Sequence, residues 1–128
     1  MPTATLKEIN KFRLAFVDDQ EVLDAIAVIE ECQGNLEDAA EVLAVEAGIT
    51  SVDKAGKDPE QILGKLIEKA RKILCRKECR EQFVNGSFEF LMGYLMAVGD
   101  IPKAMTIPVL MCAAQMGLEE FCPKKPQP

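Results

Sequence analysis

Histidine and tryptophan are absent from the 128 residues, and the aromatics amount to six Phe and one Tyr. Without imidazole, most general-base schemes, Ser-His triads and zinc-protease sites lose their usual proton carrier or ligand. A glycine-rich phosphate loop is missing too. Gly93 and Gly99 stand alone and Gly86 falls in a turn signal, so the nucleotide-binding fingerprints are excluded. No apolar run approaches the roughly 18 residues of a membrane span. The opening Met1-Pro-Thr-Ala-Thr-Leu-Lys-Glu is polar, and no secretory leader is expected from it. The scarcity of aromatics leaves a core of Leu, Ile, Val, Ala and Met, a palette that favours helices over sheet.

What is present is enough for a core, since 48% of the chain is hydrophobic. The five cysteines (Cys32, Cys75, Cys79, Cys112, Cys122) are odd in number and lack framework spacing. Several sit in apolar helical patterns, where free Cys acts as a small hydrophobe. A reduced, cytoplasmic setting is the simpler expectation. The net charge of −6 conceals a division: residues 14–53 carry eleven acidic side chains and no basic one, whereas residues 54–80 carry nine basic and four acidic. The overall sign argues against a dedicated nucleic-acid binder. The two blocks could attract one another, or present separate faces.

Periodicity and capping signals predict an all-α fold of six or seven helices. The first covers about 5–16, with Leu6, Ile9, Phe12 and Phe16 at helical spacing, although Phe12, Leu14 and Phe16 also fit a short strand. Asp18 and Glu21 read as a capping box for a helix over 19–32. Gly34 ends that helix, and Asn35 caps the next, over 36–47. A linker is expected from Ile49 to Lys57, then Asp58-Pro59 opens a long helix over 59–84. Asn85-Gly86-Ser87 interrupts the chain before a helix to Val98 that is apolar nearly all round, as in a bundle centre or an interface. Pro108 should split the last segment into pieces over 101–106 and 107–117. Residues 123–128 read as a disordered tail.

The stretch Val28-Ile-Glu-Glu-Cys-Gln-Gly-Asn-Leu-Glu-Asp-Ala-Ala-Glu-Val-Leu43 resembles the second and third helices of ubiquitin-associated (UBA-like) domains. The likeness rests on a Gly34-Asn35 turn, with Ala39 four and Leu43 eight residues after the Asn. It is similar also to the N-terminal UBA-like domain of elongation factor Ts. The Met-Gly-Phe/Tyr turn of ubiquitin binders is replaced here by Ala15-Phe16-Val17-Asp18, and the Thr-Gly-Ala-Gly motif of the elongation factor is lacking. The resemblance therefore implies a three-helix mini-fold over about residues 4–48, and protein recognition in general, without the families' specific activities. The expected organisation is a UBA-like unit over 1–48 and a helical unit of three to four helices over 57–122.

Two local features carry candidate chemistry. Cys75-Arg-Lys-Glu-Cys79 would place two thiols on one helical face beside Arg71, Lys72, Arg76, Lys77 and Arg80. That setting suits thiolate reactivity or metal binding, as well as plain core cysteines. Lys65, Lys69, Lys72, Arg76 and Arg80 form a basic surface that reads more simply as a solvated face. Met92, Met96, Leu95 and Tyr94 are the candidate partner-facing residues, since methionine-rich apolar helices serve both cores and adaptable interfaces. No catalytic residue, metal site or cofactor is expected. The expected function is a non-enzymatic protein–protein interaction module, with a protein partner or a second copy as homodimer. The alternative is a thiol-dependent metal-binding or redox protein using Cys75 and Cys79.

Overall fold

Each helix begins where a side chain can take up the backbone N–H groups that a helix leaves unpaired. In the computed structural model, which describes residues 3–48 and 61–122, Thr5 opens α1 (Leu6–Ala15) with a complete capping box. Its Oγ1 accepts from Glu8 N at 3.2 Å, and Glu8 Oε1 accepts from Thr5 N at 2.9 Å. The strand alternative for this segment is thereby settled in favour of helix. Ile9 and Phe12 point inward with Phe16 just beyond the helix, whereas Leu6 is exposed.

The start of α2 (Gln20–Glu31) corrects the expected Asp18 cap by one residue. Asp19 is the N-cap, accepting from Val22 N at 3.2 Å, and its other oxygen lies 3.2 Å from Lys103 Nζ. The cap thus also pairs with a residue 84 positions further along the chain. Asn35 caps α3 (Leu36–Glu46) as expected, accepting from Asp38 N at 3.0 Å. Between α2 and α3, Gln33 and Gly34 both take positive φ. Ala4 N donates to Gly34 O at 2.8 Å, and a Cβ on Gly34 would stand 2.3 Å from Ala4 O. Only glycine lets the N-terminal segment lie that close.

The predicted helix over 59–84 is two helices, α4 (Gln61–Leu74) and α5 (Lys77–Val84), separated by an extended Arg76. The break contains neither Gly nor Pro. A long-range bond and a local one meet there: Cys75 is disulfide-bonded to Cys122, and Arg80 Nε donates to the carbonyl of Cys75 at 2.9 Å. The presumed linker at 49–57, the Asp58-Pro59 cap and the tail at 123–128 lie outside the described residues.

The all-round buried helix is not the one expected. In α6 (Phe88–Gly99) Phe88, Leu91, Met92, Leu95 and Gly99 face inward, and the opposite side is open. The central element is α7 (Lys103–Met116), where every residue from Met105 to Ala113 is buried. It packs against α2, α3, α4 and α6. Pro108 lies within it without splitting it. Removing a donor and crowding the preceding turn costs about 3 kcal/mol, and burial on all sides outweighs that. Thr106, the buried polar residue here, donates from Oγ1 to Lys103 O at 2.6 Å. A last turn, α8 (Leu118–Phe121), buries Phe121.

The fold is all-helical among the described residues, with no strand beyond an isolated Thr3–Asn35 bridge. The buried residues on both sides of the expected linker belong to one cluster. No single helix among them is long and apolar enough to cross a membrane.

Candidate interaction surface and thiol edge

A helix of 3.6 residues per turn brings positions i, i+3, i+4, i+7 and i+8 onto one side. On α6 these are Phe90, Gly93, Tyr94, Ala97 and Val98, directly opposite the buried stripe. Phe90 is 44% exposed and Val98 47%, Gly93 and Ala97 face solvent, and Tyr94 is half-buried. Among the described residues, a Cβ built on Gly93 meets no atom within 4 Å. The ring of Phe90 stacks on Tyr94 with centroids 5.8 Å apart. Tyr94 is oriented from below by α5: its hydroxyl donates to Glu78 Oε2 at 3.3 Å and accepts from Arg76 at 3.5 Å. The result is an uncharged ribbon, with a notch at Gly93 and Ala97 between two larger apolar side chains.

Of the four partner-facing candidates, the structure divides the set. Leu95 and Met92 are core residues, Met96 is half-buried against the core, and Tyr94 alone borders the ribbon. Phe90, Gly93, Ala97 and Val98 were not singled out by the sequence reading. The available signal was the pair of small residues four apart in an otherwise bulky apolar helix, a spacing that permits close helix approach.

Cys75 and Cys79 do not form a pair. The helix break at Arg76 separates them, Cys75 is bonded to Cys122, and Cys79 is buried as a free thiol. The expectation of five reduced cysteines is corrected to three free thiols: Cys32, Cys79 and Cys112. Burial pushes all three thiols up from their ordinary pKa. Asp38, Glu31 and Glu41 add to the rise at Cys32, Glu78 at Cys79, while Arg71 partly offsets it at Cys112. Among the described residues no group of three or more Cys, Asp or Glu is placed to hold a metal ion.

The disulfide edge is a second feature. Arg71 spans from α4 to α8, its Nε donating to Phe121 O at 2.5 Å and its guanidinium lying 5.1 Å from the Phe121 ring centroid. Beside it runs an open groove of about 420 Å³ lined by Glu68, Arg71, Lys72, Cys75 and Arg76. The basic side chains Lys65, Lys69, Lys72, Arg76 and Arg80 are exposed. Among the described residues, no ion pair joins them to the acidic side chains of α2 and α3; the pairs present are Arg13–Glu30 and Lys103 with Asp19 and Glu21.

No protein-family model matches the chain, nor does any curated protein or any solved structure.

Proposed function

We propose that this chain is a non-enzymatic helical interaction module that self-associates through the outer face of α6. The observation that carries the reading is the setting of Gly93, open in an uncharged apolar face beside Ala97 and between Phe90 and Val98. A glycine inside a helix costs about 1 kcal/mol relative to alanine, and nothing among the described residues of its own chain occupies the space a methyl group would fill. Gly64 is open in the same way but stands beside Lys65 and Glu68, whereas the opening on the uncharged face of α6 suits a second helix crossing at close range.

The occupant proposed is a second copy. Phe90 and Val98, separated by about 12 Å along the axis, flank the notch, so the ribbon carries projections and a recess that fit its own antiparallel image. No charged side chain interrupts α6 from Phe90 to Val98, which matters for a chain of net charge −6. General repulsion between copies is then screened by salt while the apolar contact is not, so dimerisation strengthens as ionic strength rises. An oppositely charged partner would show the reverse dependence.

Within this reading, residues 4–48 form the UBA-like unit. Its support is Asn35 at the N-cap, with Ala39 and Leu43 buried at helical spacing. The test is molar mass by light scattering across a concentration series, at low and high salt. Wild type should shift toward the dimer, and Ala97→Glu should remain monomeric with unchanged helicity. A wild type that stays monomeric at every concentration and salt would remove the proposal.

A further inference from the structure

We infer that the Cys75–Cys122 disulfide is a thiol-exchange site, opened at Cys75 by a small thiol that carries carboxylates. The inference stands apart from the α6 surface and uses different residues.

The two cysteines differ in access. Cys122 is 4% exposed, whereas Cys75 is half-buried and lines the groove beside α4. Glu68, Arg71 and Lys72 fall at i, i+3 and i+4 on one face of α4, and Cys75 and Arg76 follow at the break just beyond its end. A nucleophile arriving from solvent therefore reaches Cys75 Sγ, and Cys122 is the leaving sulfur.

The groove also selects the attacker by charge. Arg71, Lys72 and Arg76 line it against a single carboxylate, Glu68, and among the described residues none of the three cations is in an ion pair. Arg71 contacts both the carbonyl and the ring of Phe121. A volume of about 420 Å³ lies in the range of small-ligand sites, about 300–1,000 Å³. Cations at that density attract a thiol that is itself anionic and bears carboxylates, and they hinder a cationic one.

The exchange balances without any further oxidant or reductant. An incoming thiolate RS⁻ forms a bond to Cys75 Sγ as the Sγ–Sγ bond to Cys122 breaks. The electron pair leaves on Cys122 as thiolate, which takes a proton from water. The product is a mixed disulfide on Cys75, and attack by Cys122 in reverse expels RS⁻ and restores the original bond. Opening removes the disulfide tether beside α8, while Arg71 still bonds the Phe121 carbonyl.

The experiment uses the oxidised full chain with three probes: glutathione, 2-mercaptoethanol and cysteamine. Each rate is divided by the rate of the same thiol on an uncharged small disulfide, which removes intrinsic nucleophilicity. The corrected rate with glutathione should exceed that with cysteamine by about tenfold or more at low salt. The ratio should approach one at high salt and invert in the Lys72→Glu/Arg76→Glu variant. Peptide mass analysis should place the adduct on Cys75 and a free thiol on Cys122. Absence of exchange, an adduct on Cys122, or a ratio indifferent to salt would overturn the inference. Should the double variant fail to fold, the salt series on wild type gives the same decision.

Discussion

The rings of Phe12 and Phe88 stack with centroids 4.6 Å apart, joining α1 to the first residue of α6. Phe88 is also T-shaped to Phe83, with ring centroids 6.0 Å apart, and the ammonium of Lys11 lies 5.8 Å from its centroid. The contact crosses the expected boundary between an N-terminal and a C-terminal unit. Phe12→Ala should therefore cost about 3–5 kcal/mol, and the loss should be felt in both halves. Urea unfolding followed by helical ellipticity and by amide exchange checks this. Coincident transitions are expected; a variant that melts residues 3–48 alone would speak for two separate units.

Gly34 gives a sharper backbone test. Its positive φ and the carbonyl of Ala4 beneath it leave no room for a side chain. Gly34→Ala should destabilise by roughly 2–4 kcal/mol, although alanine ordinarily favours folding by restricting the unfolded chain. Gly64, also helical and without a near neighbour among the described residues, is the control. Gly64→Ala should be neutral or stabilising by up to about 1 kcal/mol.

The disulfide spans a sequence separation of 47. Closing a loop of that size in the unfolded chain stabilises the fold by about 2–4 kcal/mol. Cys122→Ser should lower the urea midpoint correspondingly, and a dithiol reductant should do the same to wild type and nothing to the variant. Equal stability of the oxidised and reduced chains would contradict the tether.

The three free thiols predict a pH dependence of known sign. Desolvation raises each above its ordinary value, with Cys112 buried in the core beside Arg71. The unfolded chain then loses its thiol protons first, at about pH 8.5. Stability from this source is complete below that pH and declines as pH rises above it. Alkylation of the oxidised chain at neutral pH should be slow for Cys79 and Cys112. Rapid labelling of either under native conditions would show that its burial is not maintained.

How much of this was legible in the sequence depends on how local the cause was. Asn35, Gly34 and the turn at Asn85-Gly86-Ser87 act within a few residues, and the helices they bound lie close to where periodicity put them. Asp19, and not Asp18, is the cap, and it pairs with Lys103, a contact no window around residue 18 contains. The break at Arg76 has no breaker residue. It coincides with the bond to Cys122 and with Arg80 turning back to the Cys75 carbonyl. Pro108 failed to split α7 for the converse reason, since packing from four helices holds the segment together. On α6 the apolar content was visible, but which half of it faced outward was decided by its packing against α4, α5 and α7, and Leu95 and Met92 went to the core.

The central claim is that a second helix crosses α6 at Gly93 and Ala97, and one pair of measurements on Gly93→Ala tests it most directly. Unfolding at concentrations where the chain is monomeric should show a gain of about 0.5–1 kcal/mol. Sedimentation equilibrium should show weaker self-association for the same variant, while Gly64→Ala leaves it unchanged. Dimer formation by Gly93→Ala as tight as wild type would mean that no second chain comes close at this point.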